Sequence, residues 1–372
     1  MQKVEWGEFK IGDIFEVRKG KRLPERVLVD TMGDIALINQ STQNNMVARH
    51  SGLQGNNEVY KKNAITFGVN TKSFGYQTKD FFTIADVLFF KSDFLNEKLA
   101  SYFITSIKAQ LPPDGWDKIF GLSQMVDFKI QLPTKNGKID YAFMESFIAE
   151  LVAQRIAELD NYLLETGLND YQLTDAEQKF LDDFSNQKFE EFNVTDIFDV
   201  KNTGNILSRD ISPNSGLTPY LCASSENNGV SSYITYDEKY IDKGNCVFIG
   251  GKTFVVSFQE KDFFSNDSHN LVLYLKNEAK RNKKSQLYLA SCIKKSLGHK
   301  YSWGDSISST KIKKDKVSLP VLNKKPNYEI LETFISAIQK LVIKDVVLYV
   351  ERKKKELNKL TENANAQQTE TK

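Results

Sequence analysis

The sequence has few of the residues from which metal centres and thiol or imidazole chemistry are built. It contains three cysteines and three histidines in 372 residues. Cys222, Cys246 and Cys292 have no paired spacing, which argues against a zinc site or a disulfide framework, and we interpret them as inert core thiols. The histidines lack the i, i+4 spacing of a helical zinc pair. We therefore expect no metal site and no catalytic residues.

Long apolar runs and a large net charge are also absent. The densest apolar stretch, residues 81–90, is shorter than the roughly eighteen residues of a membrane helix and contains Asp86. The first residues lack the features of a secretory signal, so we expect a cytoplasmic protein. A formal net charge of +2 decides nothing about a nucleic-acid partner, because the position of the cations matters more than their sum.

Two motifs that would indicate nucleotide or cofactor chemistry are incomplete. Gly250-Gly251-Lys252-Thr253 ends like a phosphate-binding loop but lacks the first glycine at the required spacing, so we interpret it as a turn. Pro112-Pro113-Asp114 contains the elements of an amino methyltransferase motif in the wrong order, and no glycine-rich cofactor motif precedes it. We therefore expect that this chain does not bind S-adenosylmethionine.

An internal repeat organises the chain. Residues 8–18 align without gaps on 191–201, and the same offset carries 41–45 onto 224–228. Further aligned pairs follow in the same order: 79–82 with 261–264, Trp116 with Trp303, Leu132-Pro133 with Leu319-Pro320, and 141–148 with 328–335. The length suits two domains of ordinary size, so the repeat predicts two tandem copies of one domain.

Each copy reads as short strands and turns followed by one long amphipathic helix, which predicts an α+β fold. Asp140 and Asn327 are the expected N-caps of the two helices. Two exposed apolar stripes of this length would be a liability, so we expect the helices to pack together as an antiparallel coiled coil. The predicted packing residues are Met144, Ile148, Leu151, Ile156, Leu159 and Leu163 in the first helix and Leu331, Ile335, Ile338, Val342 and Tyr349 in the second.

These patterns predict six segments. Thr174 and Glu177 form a capping-box pattern, which predicts a short helix through Phe184 in the connector. The segments are a first recognition domain (1–137), a first long helix (138–168), a connector (169–187), a second recognition domain (188–325), a second long helix (326–361) and a disordered tail (362–372).

Polar loops recur at equivalent places in both copies, and we interpret them as candidate DNA-recognition loops. Lys and Arg can contact phosphates and guanine edges, while Asn and Gln can bond adenine. Taken singly, each loop also fits an ordinary turn. The candidates in the first half are Arg18, Lys19, Lys21, Arg22, Gln40, Ser41, Thr42, Gln43, Asn44, Asn45, Asn70, Thr71 and Lys72. Those in the second half are Lys201, Asn202, Ser224, Ser225, Glu226, Asn227, Asn228, Lys252, Thr253 and Lys311.

The second half also contains a basic segment and a tryptophan whose roles are open. Residues 276–316 are rich in lysine and have few acids, which fits either a solvated face or a phosphate-facing surface, and we favour the latter. Trp116 and Trp303 fit either core anchors or ligand-contacting aromatics, and we favour the core.

The chain resembles the specificity subunits of type I restriction-modification systems and the related specificity chains of some type II systems. The likeness rests on residues 9–21 and 124–133 in the first copy and on 193–200 and 309–320 in the second. It implies that each half reads one part of a split DNA target, while the helices space the halves and dock methyltransferase subunits, two being expected. S-adenosylmethionine would then bind only to those partners, and a restriction or translocase subunit is left open.

Two other functions remain open at this stage. A duplicated protein- or carbohydrate-binding scaffold would use the tryptophans and need no nucleic acid. A self-contained restriction enzyme would need a metal-binding carboxylate cluster, and we find no convincing one in the sequence.

Overall fold

A computed structural model describes residues 4–112 and 120–370 of the chain, with side chains up to residue 359. The chain divides into two compact units, and the division falls between Glu158 and Leu159. Trp116 and most of the 112–114 motif lie outside the described residues. Within the described ranges, we find no helix that is both long and apolar enough to cross a membrane.

The first unit contains three small sheets. The elements are β1 (Glu5–Lys10), α1 (Ile11–Ile14), β2 (Glu16–Lys19), β3 (Ile35–Ile38), β4 (Val47–Ser51), β5 (Ala64–Gly68), β6 (Phe74–Gln77), β7 (Phe81–Thr83), β8 (Val87–Lys91), α2 (Glu97–Gln110), α3 (Leu122–Asp127), β9 (Lys129–Lys135), β10 (Lys138–Ile139) and α4 (Tyr141–Glu165), which continues into the second unit. The strand orders of the three sheets are β1-β9-β10, β2-β8-β5-β6 and β4-β3-β7, and β3 pairs with β7 in parallel.

The second unit repeats this topology. The elements are α5 (Asp175–Asp182), β11 (Phe189–Asn193), α6 (Val194–Ile197), β12 (Phe198–Asn202), β13 (Thr218–Leu221), β14 (Val230–Ile234), β15 (Cys246–Ile249), β16 (Val256–Gln259), β17 (Phe264–Ser265), β18 (Leu271–Leu275), α7 (Lys283–Leu297), α8 (Ser309–Ile312), β19 (Lys316–Leu322), β20 (Lys325–Pro326) and α9 (Tyr328–Glu370). The strand orders of the sheets are β11-β19-β20, β12-β18-β15-β16 and β14-β13-β17, and β13 pairs with β17 in parallel. The predicted duplication and the α+β class are therefore confirmed, with a long helix after each domain.

Each core lies between the four-stranded sheet and one helix. β5 and β15 are buried along their whole length, as expected for short apolar runs in the middle of a sheet. In the first unit Phe15 meets Phe103 of α2 with ring centroids 4.8 Å apart. In the second unit Leu289 and Ile293 of α7 are fully buried in the corresponding cluster. Burying each such side chain contributes about 1.5–3 kcal/mol, so these two helices stabilise their sheets strongly.

The N-cap residue of each core helix also binds the long helix that follows. Asn96 accepts a hydrogen bond from the Leu99 N–H, and its side-chain amide donates to Glu145 of α4 at 2.5 Å. Asn282 caps α7 in the same way and donates to Glu332 of α9 at 2.9 Å. Each long helix is thereby attached to its own domain, a link between distant residues that local capping rules do not predict.

The local capping predictions are confirmed. Asp140 accepts from the Phe143 N–H at 2.9 Å, and α4 begins at Tyr141. Thr174 and Glu177 form a complete capping box at the start of α5, which ends at Asp182 and is followed by a 3₁₀ turn. α9 continues to Glu370, whereas the sequence predicts an end near residue 361 and a disordered tail. The residues from 362 to 370 include no glycine or proline, so nothing local stops a helix.

Within the second unit, the end of α4 and the following loop run antiparallel to α9. Asp160 pairs with Lys354 at 2.6 Å, and Asp170 pairs with Lys340 at 2.9 Å. As the chain advances from 160 to 170, its partners move back along α9. This direction agrees with the predicted antiparallel arrangement.

The predicted apolar stripe is only partly correct, because the buried face of each long helix rotates. Leu331 is fully buried, but Val342 is 74% exposed and Tyr349 is also exposed, while Val347 and Val350 are buried instead. At 100° per residue, Val350 lies roughly 100° around the helix from Leu331. The start of α9 packs on α7 and α5 of its own domain, and a different face is buried further on.

The first helix repeats this rotation. Met144 is fully buried, Leu151 is exposed, and Ile156 and Leu163 are buried. The same number of residues separates Met144 from Leu163 and Leu331 from Val350. Leu151, Val342 and Tyr349 are exposed in this chain, whereas Ile156 and Leu163 are buried. Met144 and Leu331 are also buried, but they lie in the cores of their own domains. Ile148, Leu159, Ile335 and Ile338 are partly buried.

Candidate nucleic-acid interface

The loops that follow β2 and β5 emerge at the same edge of their sheet. Both strands run antiparallel to β8, and Lys19 and Gly68 stand opposite Leu88 and Val87 at its first residues. The ends of β2 and β5 therefore meet the start of β8. This register brings the predicted loops 18–22 and 70–72 together.

The third predicted loop of the first half is hydrogen-bonded to the same edge. The Asn70 N–H donates to Gln40 Oε1 at 2.8 Å, and the Thr71 hydroxyl donates to the Gln40 carbonyl at 2.9 Å. We call residues 18–22, 40–45 and 69–72 the first loop edge. Its three predicted loops form one continuous polar surface.

The second unit builds an equivalent edge. Asn202 and Ile249, the last residues of β12 and β15, both stand opposite Leu271 at the start of β18. The Thr253 hydroxyl donates to the Ala223 carbonyl at 2.9 Å, which repeats the bond from Thr71 to Gln40. We call residues 201–205, 223–228 and 250–253 the second loop edge.

The asparagines of these loops hold the backbone, as the turn interpretation predicts. Asn44, Asn45, Asn227 and Asn228 all have positive φ, between 46° and 53°. Asn45 donates to the Tyr76 carbonyl and accepts from the Tyr76 N–H, at 2.7 and 2.8 Å. The amides of the other three also donate to backbone carbonyls. The turn role therefore replaces base reading as the interpretation of these four side chains.

The other polar side chains of these loops either hydrogen-bond the backbone or are exposed to solvent. Ser41 and Ser224 each accept a backbone N–H two residues ahead, at 3.0 and 3.1 Å, and so stabilise the turns. The neighbouring side chains are exposed and leave room for base contacts; they are Thr42 and Gln43 in the first edge and Ser225 and Glu226 in the second.

The candidate cations differ in how firmly they are held. Lys19, Lys252 and Lys311 pair with carboxylates of Asp86, Asp267 and Asp305, and Arg18 pairs with Glu16. Lys201 lies over the ring of Tyr274, and Lys72 donates to the Pro112 carbonyl at 2.9 Å. Exposed pairs of this kind contribute about 0–1 kcal/mol and exchange readily for phosphates.

Lys21 and Arg22 form the most available cationic pair of the first edge. Both side chains are exposed, and in the described part of the chain no carboxylate pairs with either of them. The backbone of Lys21 is fixed, because its N–H donates to the Tyr60 hydroxyl at 2.9 Å. A rigid backbone with two free cations suits phosphate contact.

The sequence interpretation missed the turn at residues 266–270. Asn202 donates to the Ser268 carbonyl at 2.7 Å, and Asp267 contacts both Lys252 and the exposed His269. Burial raises the pKa of Asp267, but hydrogen bonds from His269 and Lys252 outweigh it and hold this pKa below its usual value. The turn directly follows the aligned run 261–264, so the repeat contained the signal that could have located it.

Trp303 is not a core residue. Its side chain is 75% exposed, on a turn that joins the second loop edge through a 3.2 Å hydrogen bond from the Ile307 N–H to the Gly251 carbonyl. The core interpretation is therefore wrong for this tryptophan. The sequence Ser302-Trp303-Gly304-Asp305 is rich in turn-forming residues, and that was the available signal.

Several lysines of the basic segment, residues 276–316, form ion pairs with acidic residues from other parts of the chain. Lys280, Lys283 and Lys316 pair with Glu332, Glu260 and Glu191, all of which lie outside the segment. Lys300 pairs with Asp315 at 3.1 Å. Much of the predicted phosphate-facing surface is therefore already neutralised. Elsewhere in the segment, Lys294, Lys295, Lys313 and Lys314 are exposed, and no described carboxylate pairs with them.

Two cysteines sit in environments that suppress their reactivity. Burial raises the pKa of Cys246 and of Cys292 to about 12, which keeps both thiols protonated at neutral pH. Across residues 4–112 and 120–370, no group of three or more His, Cys, Asp or Glu side chains is placed to hold a metal ion.

Comparisons with known proteins agree with the duplicated architecture. The chain is 26% identical over 347 residues to the type II restriction enzyme BgcI specificity subunit S.BcgI of Heyndrickxia coagulans, covering 91% of this chain and 96% of that protein. Its fold is similar to the crystal structure of a type I restriction-modification system S subunit from M. genitalium. That match has a TM-score of 0.60 and 13% identity, and it covers 98% of this chain and 96% of the other.

The family model for the type I restriction modification DNA specificity domain matches this chain twice. The matched residues are 3–161 and 186–349, so each match contains one loop edge and the first part of one long helix. The scaffold interpretation gains no support from any of these similarities. The chain belongs to the family of type I restriction modification DNA specificity domains, and it carries two copies of that domain.

Proposed function

We propose that this chain is the non-catalytic subunit that reads a bipartite DNA target and directs methyltransferase subunits to it. The observation that carries this proposal is the construction of two loop edges at the same place in two copies of one topology. Two edges with different side chains are suited to read two different half-sites. S-adenosylmethionine would bind only to the partner subunits, and the complex would act in the cytoplasm.

The chemistry of the two edges supports different half-sites. The first edge offers Arg18, Lys19, Lys21 and Arg22, whereas residues 201–205 of the second edge contain Lys201 as their single cation. Arginine and lysine prefer guanine edges and phosphates, while amides and carboxylates address adenine and cytosine. The two halves would therefore recognise different base sequences through the same backbone frame.

Exposed apolar residues on the long helices support partner docking. Phe147, Leu151 and Val152 are exposed on α4, and Val342 and Val346 on α9. Apolar side chains grouped along a helix mark protein contacts more often than chance exposure does. We infer that each long helix contributes to the docking of one methyltransferase subunit. A restriction or translocase subunit would be a further partner.

The decisive experiment is to co-express the chain with the methyltransferase encoded beside it, in a host without its own modification, and to map methylated bases. A split motif that requires this chain is the expected result. Thr42→Ala with Gln43→Ala should relax one half of the motif, and the matched Ser225→Ala with Glu226→Ala should relax the other half.

The contrary outcome is equally clear. A stable complex with an active methyltransferase that produces no new methylation would refute target reading. Binding that hardly responds to salt would favour the scaffold alternative, because phosphate contacts lose affinity steeply between low and moderate salt. DNA cleavage by the purified chain with magnesium would instead support the restriction-enzyme alternative.

A further inference from the structure

Trp303 sits at the tip of a tight hairpin. The Ser302 N–H donates to the Asp305 carbonyl at 3.2 Å, and the Asp305 N–H donates to the Ser302 carbonyl at 3.1 Å. The loop therefore consists of Trp303 and Gly304 alone, a length that fixes the backbone closely. The side chain of Trp303 is 75% exposed at this tip.

Both ends of this hairpin are braced. Lys311 Nζ binds Asp305 Oδ1 at 2.6 Å and the Ser306 carbonyl at 2.8 Å. The same ammonium group lies 6.0 Å from the ring centre of Tyr301 on the other arm, and Tyr301 packs on Phe254 at 5.4 Å. The exposed indole is thus held by a rigid base. An exposed indole on a rigid base can contact a ligand without a large loss of backbone freedom on binding.

The hairpin belongs to the second loop edge by its contacts. The Ile307 N–H donates to the Gly251 carbonyl. Phe254, whose ring packs on Tyr301, directly follows the predicted recognition residues Lys252 and Thr253. Lys300 and Lys311 flank the hairpin, and each is paired with a carboxylate, Asp315 and Asp305 respectively. The internal repeat also aligns Trp303 with Trp116, so both copies keep this residue type where neighbouring loops diverge.

We propose that Trp303 is a DNA-contacting residue whose indole face packs against a nucleobase of the second half-site. This inference rests on the proposed function and adds a contact that is independent of hydrogen-bond readout. Aromatic faces stack on any base, and apolar side chains inserted at a base step hold or bend the duplex. Trp303 would therefore supply affinity and position the second loop edge, while Ser225 and Glu226 would select bases.

The first test measures DNA affinity in the assembled complex of the full chain with its methyltransferase. Trp303→Ala should weaken binding to DNA containing both half-sites by about tenfold, and Trp303→Phe by less, because a phenyl ring still stacks. Trp6→Ala is the matched control, since Trp6 is an exposed tryptophan on β1 outside both loop edges, and its affinity should be unchanged.

The second test looks for the contact itself. DNA carrying 5-iodouracil at successive positions of the second half-site should photo-crosslink to the peptide that contains Trp303, and the crosslink should vanish in Trp303→Ala. Because Trp303 is exposed, the thermal midpoint of this variant should match that of the unmodified chain.

The outcomes separate this inference from the proposed function. Unchanged affinity of Trp303→Ala, or a crosslink that persists without the indole, would overturn the contact while leaving target reading intact. Loss of methyltransferase assembly in Trp303→Ala, with DNA binding lost only as a consequence, would assign the indole to a protein interface and also overturn it. Failure of the unmodified complex to recognise any motif would refute the proposed function itself.

Discussion

Tyr60 and Asp242 occupy the same place in the two units but differ in chemistry. Tyr60 pairs with Phe81, Asp242 pairs with Phe263, and each residue receives the backbone N–H of the loop after the first strand of its four-stranded sheet. The distance is 2.9 Å both from Lys21 N to the Tyr60 hydroxyl and from Gly204 N to Asp242 Oδ2. The duplicated fold has thus preserved a hydrogen-bond acceptor at this position, although the residue that supplies it has changed.

The buried carboxylate of Asp242 makes the second loop edge sensitive to pH. Burial raises the pKa of Asp242 to about 6, and the hydrogen bond from Gly204 only partly opposes this effect. The edge anchored by Asp242 therefore titrates close to physiological pH.

The largest expected effect concerns the connector, which is held against α9 by a buried ion pair. Burial raises the pKa of Glu177, but hydrogen bonds from Thr174, Ser336 and Lys340 lower it to about 2. Glu177→Gln should cost about 3 kcal/mol of unfolding free energy at pH 7, because Lys340 loses its most buried partner. Urea unfolding of the complete chain measures this loss.

The same pair defines an acid window. The folded-state pKa of Glu177 lies below its usual value of 4.5, so its contribution is complete above that pH and disappears as the pH falls toward 2. Asp175→Asn, an exposed change in the same helix, is the control and should cost only a few tenths of a kcal/mol. If Glu177→Gln and Asp175→Asn reduced the free energy of unfolding equally, the buried ion pair would contribute no more than an exposed charge.

A smaller effect would test the Tyr60 and Asp242 pair directly. Because the folded-state pKa of Asp242 is raised, its ionisation destabilises the fold as the pH rises from 4 through 6. Asp242→Asn should therefore be more stable than the unmodified chain above pH 6, by about 2 kcal/mol, and should lose that advantage below pH 4. Urea unfolding at pH 4 and pH 7 measures this difference, and an equal change of stability at both pH values would contradict the assignment. Tyr60→Phe removes the matching acceptor of the first edge and should reduce stability, because the Lys21 N–H loses its partner.

The cationic difference between the edges should appear in DNA binding. Lys21→Ala with Arg22→Ala should weaken binding of the assembled complex by about tenfold, and should reduce the salt slope by about two phosphate contacts. Lys61→Ala with Lys62→Ala removes the same charge from another turn of the first unit and should have little effect. A similar loss in both double variants would mean that net charge, rather than the loop edge, sets the affinity.

The smallest effects should be equal in the two halves. Asn96→Ala and Asn282→Ala each remove an N-cap and a hydrogen bond to a long helix, which should cost about 1 kcal/mol in each unit. Calorimetry of both variants checks this equality. A much larger loss of stability for one variant would show that the two copies differ in the strength of these hydrogen bonds as well as in their loops.

In the exposed loops, local turns could be predicted from the sequence, whereas contacts with distant residues could not. Aligned and locally capped features could be predicted, among them the turns at 41–45 and 224–228, because turn residues act through neighbours in the chain. The role of Asn45 was not accessible, since its partner Tyr76 lies on another strand. The exposure of Trp303 was missed for the same reason: burial depends on what packs above a residue, and sequence distance does not report it.

The duplication, the α+β class and the starts of the long helices after Asp140 and Asn327 could be predicted from the sequence alone. Each of these depends on local periodicity, capping or self-similarity. Tertiary structure decided the convergence of three loops at each sheet edge, the rotation of the buried helix faces and the neutralisation of the basic segment. In each case the deciding partner comes from a distant residue, as Glu191 does for Lys316, and only folding brings the two together.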